Sequence, residues 1–127
     1  MELETMRANP VWDADAHADA VDALASVADS VVVKVWGGDW CKDCRSQLPD
    51  FGAALEAAGV DAVEHYPVEK AEDGSKIGPD VEAYGIELIP TVVVEDAATG
   101  EERARFVEVA DVPIAVSLAR QLETTDA

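Results

Sequence analysis

Residues 30–44 read Ser-Val-Val-Val-Lys-Val-Trp-Gly-Gly-Asp-Trp-Cys-Lys-Asp-Cys, in which a strand, a break and a helix start follow one another. Ser30 to Trp36 is a β-branched run too apolar for one-sided alternation, which predicts a strand buried on both faces and central in its sheet. Gly37-Gly38 ends it, and Asp39 is placed to cap a helix that begins around Trp40 or Cys41. That helix runs through Leu55 to about Ala58 and stops at Gly59, with Pro49 inside it as an expected kink. The two cysteines of the chain, Cys41 and Cys44, thus share the first turn of a helix in one C-x-x-C, which beside a strand-then-helix pattern reads as a redox motif.

Upstream, Ala14, Ala18, Val21, Ala25 and Ala28 recur at spacings of three and four while Asp15, Asp19, Asp22 and Asp29 fall elsewhere, predicting an amphipathic helix over 13–28. Downstream, Val60 to Val68 reads as a second strand, followed by an acidic, turn-rich stretch. Pro79 to Tyr84 has the start signal of a short helix and Gly85 its stop. Thr91 to Glu95 and Glu102 to Val109 read as strands joined by a hairpin turn at Ala97-Ala-Thr-Gly100. Val112, Ala115, Ala119 and Leu122 mark one face of a closing helix capped near Asp111. The order is α-β-α-β-α-β-β-α in a single domain over 1–127, with residues 1–11 a loose arm or a shortened edge.

A chain of 127 residues with 49% hydrophobic content can bury a core without staples or metals, and no apolar run approaches a membrane span. Its 27 Asp+Glu against 9 Lys+Arg give a formal net charge of −18, spread along the chain. Nucleic acid, which needs clustered Lys and Arg, is excluded as a natural partner class. A diffuse acidic excess repels itself unless salt screens it, and proteins of high-salt cytoplasm are built this way. The first ten residues hold no apolar segment of signal-peptide type, so the expected setting is cytoplasmic.

At a helix N-terminus the unpaired amides and the macrodipole stabilise a thiolate, which makes Cys41 the nucleophile. Cys44, one turn on, is placed to attack a mixed disulfide and is the resolving thiol. Lys42 favours the Cys41 thiolate, Asp39 and Asp43 oppose it, and the sequence does not rank them. A purely structural Cys41–Cys44 bond would close too short a loop to stabilise much. A zinc site would need His17 and His65, which lack paired ligand spacing. Two inert core cysteines fit poorly at a capped helix start beside Asp43.

With these residues in place the chain resembles the thioredoxin family over most of its length. Trp36 and Trp40-Cys-Lys-Asp-Cys44 resemble the active-site segment, Pro49 stands where the family's active-site helix kinks, and Tyr84-Gly-Ile86 with Ile89-Pro-Thr91 resemble the segment carrying the family's cis-proline. The resemblance implies a thioredoxin-like three-layer α/β/α fold with a mixed central sheet. It implies a substrate-binding face of Trp40, Ile89, Pro90 and Thr91, with the Ile89 backbone receiving an extended substrate chain. Three departures stand out: Lys42-Asp43 between the cysteines; Val35 in place of the family's buried aspartate; and Glu108 or Val109 in place of a glycine after the last strand. An acidic side chain at that last place would narrow the groove and reject acidic partners. His65 stands near the family's lysine partner of the aspartate and is either a substitute base or a strand histidine without a role.

The function implied is thiol–disulfide oxidoreductase in cell redox homeostasis: reduction of protein disulfides through the redox-active Cys41–Cys44 pair, recharged by a thioredoxin-reductase-type enzyme, with no metal or organic cofactor. The alternatives are a thioredoxin-like binding or adapter module and a dedicated electron donor to one enzyme.

Overall fold

In a computed structural model of the chain, residues 3–78, 80–108 and 112–125 are described, with side chains as far as Leu122. Their elements in order are α1 (Ala18–Val27), β1 (Val31–Gly37), α2 (Lys42–Ala58), β2 (Val63–Pro67), β3 (Glu69–Lys70), β4 (Lys76–Ile77), β5 (Thr91–Asp96), β6 (Glu102–Val107) and α3 (Ile114–Thr125). Four strands form one mixed sheet in the order β2-β1-β5-β6, with β1 parallel to β2 and antiparallel to β5. This is the mixed, layered α/β arrangement of a thioredoxin-like fold, and β1 is central. Expected elements that reach Pro79, Val109 or Asp111 extend at those points outside the described residues.

Residues paired across a ladder share a sheet face. Val33 and Val35 therefore align with Val94 and Val92, and these with Ala104 and Phe106. All six are buried, and Gly37 on the same face lies against Cys44 and Leu48 of α2, so this face carries the main core. Each of the four valines and Phe106 contributes about 1.5–3 kcal/mol when fully buried. α1 and α3 pack against α2 and against each other. α3 also covers the sheet's β6 edge: the Gln121 amide donates from Nε2 to the Arg105 carbonyl at 2.9 Å and accepts the Arg105 N–H at 2.9 Å. A side-chain amide thus satisfies an edge that would otherwise invite another strand.

The opposite face holds Lys34 and Trp36, and it differs from the expectation. Trp36 stacks on Tyr66 and tilts against Tyr84, while Lys34 Nζ lies 2.8 Å from the Tyr84 hydroxyl and 3.0 Å from Glu95. Arg105 reaches over to donate to the Tyr84 carbonyl at 3.0 Å. With both its ring and its carbonyl engaged by the sheet, Tyr84 ends a succession of turns over 80–85, where a short helix was expected. A segment this short gains little from helical cooperativity, and the aromatic and ionic contacts win. Lys34 and Glu95 are held in their charged forms, Lys34 above and Glu95 below the ordinary value; burial opposes the charge on each but is outweighed by their mutual bond and the Tyr84 hydroxyl.

Two further expectations are corrected. The buried face of α1 is Ala20, Leu24 and Val27, with Ala18 and Ala25 exposed, because the large side chains decide which face turns inward. The N-terminal arm is docked from Leu3 onward: Leu3, Thr5 and Met6 are buried, the Asn9 N–H donates to the Pro49 carbonyl at 3.0 Å, and Asn9 Nδ2 donates to Asp50 at 2.8 Å. The arm passes so close to α2 that a Cβ on Gly52 would lie 2.2 Å from the Met6 carbonyl oxygen. In a free helix Gly→Ala stabilises by roughly 1 kcal/mol. Here Gly52→Ala is expected to destabilise by about 1–3 kcal/mol, because backbone must move; denaturant unfolding gives the sign.

Candidate functional site

Three chain segments meet at the cysteine pair: the end of β1 running into α2, the residues around Val68, and the approach to β5. β1 ends at Gly37, and the Val68 N–H donates to the Gly37 carbonyl at 2.8 Å. Gly38 follows, and a Cβ there would lie 2.5 Å from Trp40 Nε1. The missing side chain leaves room for the indole to fold back and donate to the Val68 carbonyl at 2.9 Å. Trp40 is thereby pinned at one edge while 46% of it stays exposed beside Cys41.

Cys41 is the N-cap of α2, and its carbonyl accepts the Arg45 N–H in the first helical bond. The expected cap, Asp39, does something else. Its carboxylate accepts the amides of Thr5 at 3.0 Å and Glu4 at 3.3 Å, clamping the N-terminal arm to the loop before the cysteines. Burial pushes the Asp39 pKa up, yet the two amides outweigh it and hold the carboxyl below its ordinary value.

The two thiols differ in environment. Cys41 is half-buried, and its thiol faces the Ile89 carbonyl at 3.9 Å. Cys44 is fully buried, its sulfur accepting the Gly38 N–H at 3.5 Å. Desolvation pushes the Cys44 thiol up to about 12; the Gly38 amide opposes this, and the adjacent Cys41 thiol adds to it. At neutral pH Cys44 is therefore a protonated thiol waiting behind an accessible one.

Opposite Cys41 the chain passes Leu88, Ile89, Pro90 and Thr91. The Ile89–Pro90 peptide bond is cis, Ile89 and Thr91 are buried, and Thr91 Oγ1 donates to the Leu88 carbonyl at 2.6 Å. The fold thus brings Trp40, Cys41, Cys44 and the Ile89–Thr91 segment together. Lys42 and Asp43 form the first turn of α2 and are exposed.

His65 pairs with Val35 across β2 and β1, and its Nδ1 accepts the Leu3 N–H at 2.9 Å. A neutral ring that accepts at Nδ1 carries its proton on Nε2. This imidazole anchors the N-terminal arm. Among the described residues no group of three or more His, Cys, Asp or Glu could hold a metal ion. A surface cavity of about 810 Å³ lies between α1 and α3, lined by residues such as Asp19 and Arg120, and none of its lining residues belongs to the cysteine site.

Two features of the site carried no usable sequence signal. The Asp39 clamp and the Leu3–His65 bond join residues more than thirty positions apart, and Leu3 and Met6 are isolated apolar residues without periodicity.

No known family profile matches this chain, and no curated protein matches it. Among solved structures, a thioredoxin-fold protein from Helicobacter pylori is similar, with 13% sequence identity and a TM-score of 0.43 over 88% of this chain and 94% of its own. A likeness that distant carries no function. Among the described residues no helix is long and apolar enough to cross a membrane.

Alkylation of the native, reduced protein with iodoacetamide near neutral pH is expected to modify Cys41 alone, Cys44 reacting only after unfolding; peptide mass mapping reads both. The Asp39 clamp has a pH signature. Its folded pKa lies below the ordinary 3.8, so its contribution is present above that value and is lost as pH falls through the lower, folded one. Asp39→Ala is expected to cost about 1 kcal/mol at neutral pH, the carboxylate being solvent-exposed, and nothing in strong acid. Urea midpoints measured across pH check it.

Proposed function

We propose that this protein is a thiol–disulfide oxidoreductase that reduces protein disulfides through Cys41 and Cys44. The observation carrying this reading is the division of labour between the two sulfurs: an accessible thiol at a helix N-cap facing the Ile89 carbonyl, and a buried thiol one turn behind it.

The Cys41 thiolate attacks one sulfur of a substrate disulfide. A Cys41–substrate bond forms, the substrate S–S bond breaks, and the leaving thiolate takes up a proton. Cys44 then loses its proton and attacks the Cys41 sulfur, forming the Cys41–Cys44 disulfide and expelling the second substrate thiol. Two electrons and two protons pass to the substrate. A dithiol reductase of the thioredoxin-reductase class restores the pair, and no metal or organic cofactor takes part. Trp40 and the Ile89–Pro90–Thr91 segment bind the chain on either side of the scissile disulfide. Burial of Cys44 and the absence of a carboxylate at position 35 make its deprotonation the slow part of resolution. The setting is a reducing cytoplasm, in which the working direction is reduction, and the acidic surface suits one rich in salt.

Valine at position 35 also supports a second reading, a module that holds a partner in the same groove without turnover. Insulin-disulfide reduction with dithiothreitol, at a salt concentration where the protein is folded, separates the two. The wild type is expected to accelerate precipitation, Cys41→Ser to abolish it, and Cys44→Ser to accumulate a mixed disulfide. A folded wild type that neither accelerates the reaction nor forms a mixed disulfide overturns the proposal.

A further inference from the structure

Glu108 follows directly on the last residue of β6 and adopts φ +53°, one of two non-glycine residues with positive φ among those described. A left-handed conformation costs an ordinary L-residue about 1–2 kcal/mol and persists only where the surroundings impose it. Here they impose it from both sides. The Glu108 N–H donates to the Pro90 carbonyl at 2.7 Å, and the Glu108 carbonyl accepts Gln47 Nε2 at 2.6 Å. Gln47 lies on α2, one turn beyond Cys44, and Pro90 follows the residue whose carbonyl faces the Cys41 thiol. Residue 108 is therefore fixed to both halves of the cysteine site at once.

Its side chain is half-buried, and no ion pair engages its carboxylate among the described residues. Among the described residues, three of the five exposed large apolar side chains flank the segments that meet at the cysteine pair: Trp40 next to Cys41 in sequence, Leu88 next to Ile89, and Val107 next to Glu108 itself. A carboxylate carried on a backbone that is bonded to both halves of the site, with exposed apolar side chains on the same segments, favours a partner that brings apolar side chains and a cation, and it penalises an anion there.

Resting on the oxidoreductase reading, we infer that Glu108 is a specificity-determining residue that selects disulfides flanked by Lys or Arg and rejects those flanked by Asp or Glu. The overall charge of −18 acts in the same direction but from a distance and without regard to position, so a local role must be separated from it.

Three cyclic peptides of one sequence, each closed by a single disulfide and flanked by arginines, glutamates or uncharged residues, serve as substrates with dithiothreitol as the reductant. The readout is the ratio of kcat/KM for the basic peptide to that for the acidic one, at the lowest salt that keeps the protein folded. Glu108→Gln is expected to lower this ratio about fivefold, the worth of one surface charge pair. Glu108→Gly, which suits the left-handed backbone, should lower it equally. Glu101→Gln, the same charge change on the exposed hairpin, should leave it as in the wild type. If the wild type reduces the uncharged peptide but the ratio falls equally in Glu101→Gln and Glu108→Gln, or in neither, this inference fails while the oxidoreductase reading stands. A wild type that reduces none of the three overturns both.

Discussion

The site depends on the close approach of the end of β1 to the first turn of α2. A Cβ on Gly37 would lie 3.0 Å from the Leu48 side chain and 3.4 Å from the Cys44 sulfur, so a larger residue there would press on both. Their proximity buries Cys44 and brings the Gly38 amide to its sulfur. Because the same turn must also start a helix, Cys41 is left at the N-cap with its thiol outward. The chemical difference between the two cysteines is thus first a consequence of packing, which desolvates Cys44, with the Cys41 thiol and the Asp43 carboxylate pushing in the same direction.

The rest of the molecule holds that junction from outside. The N-terminal arm grips the loop before the cysteines through the Asp39 carboxylate, grips β2 through His65, and lies on α2 at Gly52. On the other sheet face, Tyr84 is tied by Trp36, Lys34, Glu95 and Arg105, and the chain leads from it to Ile89 and Pro90. Helix α2 and the β5 approach are joined across the site by Glu108, bonded to Gln47 and Pro90. Trp40 is held at one edge by Val68, so it presents a fixed apolar face where a mobile one would lose entropy on binding.

Much of this was legible in residues 30–59, where a β-branched run, two glycines, a C-x-x-C at a helix start and a terminal glycine all point to one strand, turn and helix. The hairpin at 97–100 followed from turn chemistry of the same kind, and the mixed sheet from the family resemblance. What escaped has a common cause. The inward face of α1 is set by Leu24 and Val27 within an alanine-rich stretch whose small residues fit equally well inside and outside. Asp39 has the chemistry of a helix cap, and the amides it bonds come from the arm instead. Residues 80–85 carry helix start and stop signals, but the contacts that settle them as turns come from strands elsewhere in the chain. Nothing local announces a left-handed backbone at Glu108. In each case a tertiary partner outweighs a local preference.

The proposed redox function therefore rests on a packed junction that separates an accessible sulfur from a buried one. The central claim is that these two sulfurs form a working dithiol couple. It is tested most directly by equilibrating the folded protein in dithiothreitol buffers of graded potential and following Cys41 and Cys44 by quench alkylation and mass. The account predicts one two-electron transition in which both thiols disappear together into an intramolecular disulfide. Persistence of both free thiols in excess oxidised dithiothreitol, with the fold intact, would contradict it.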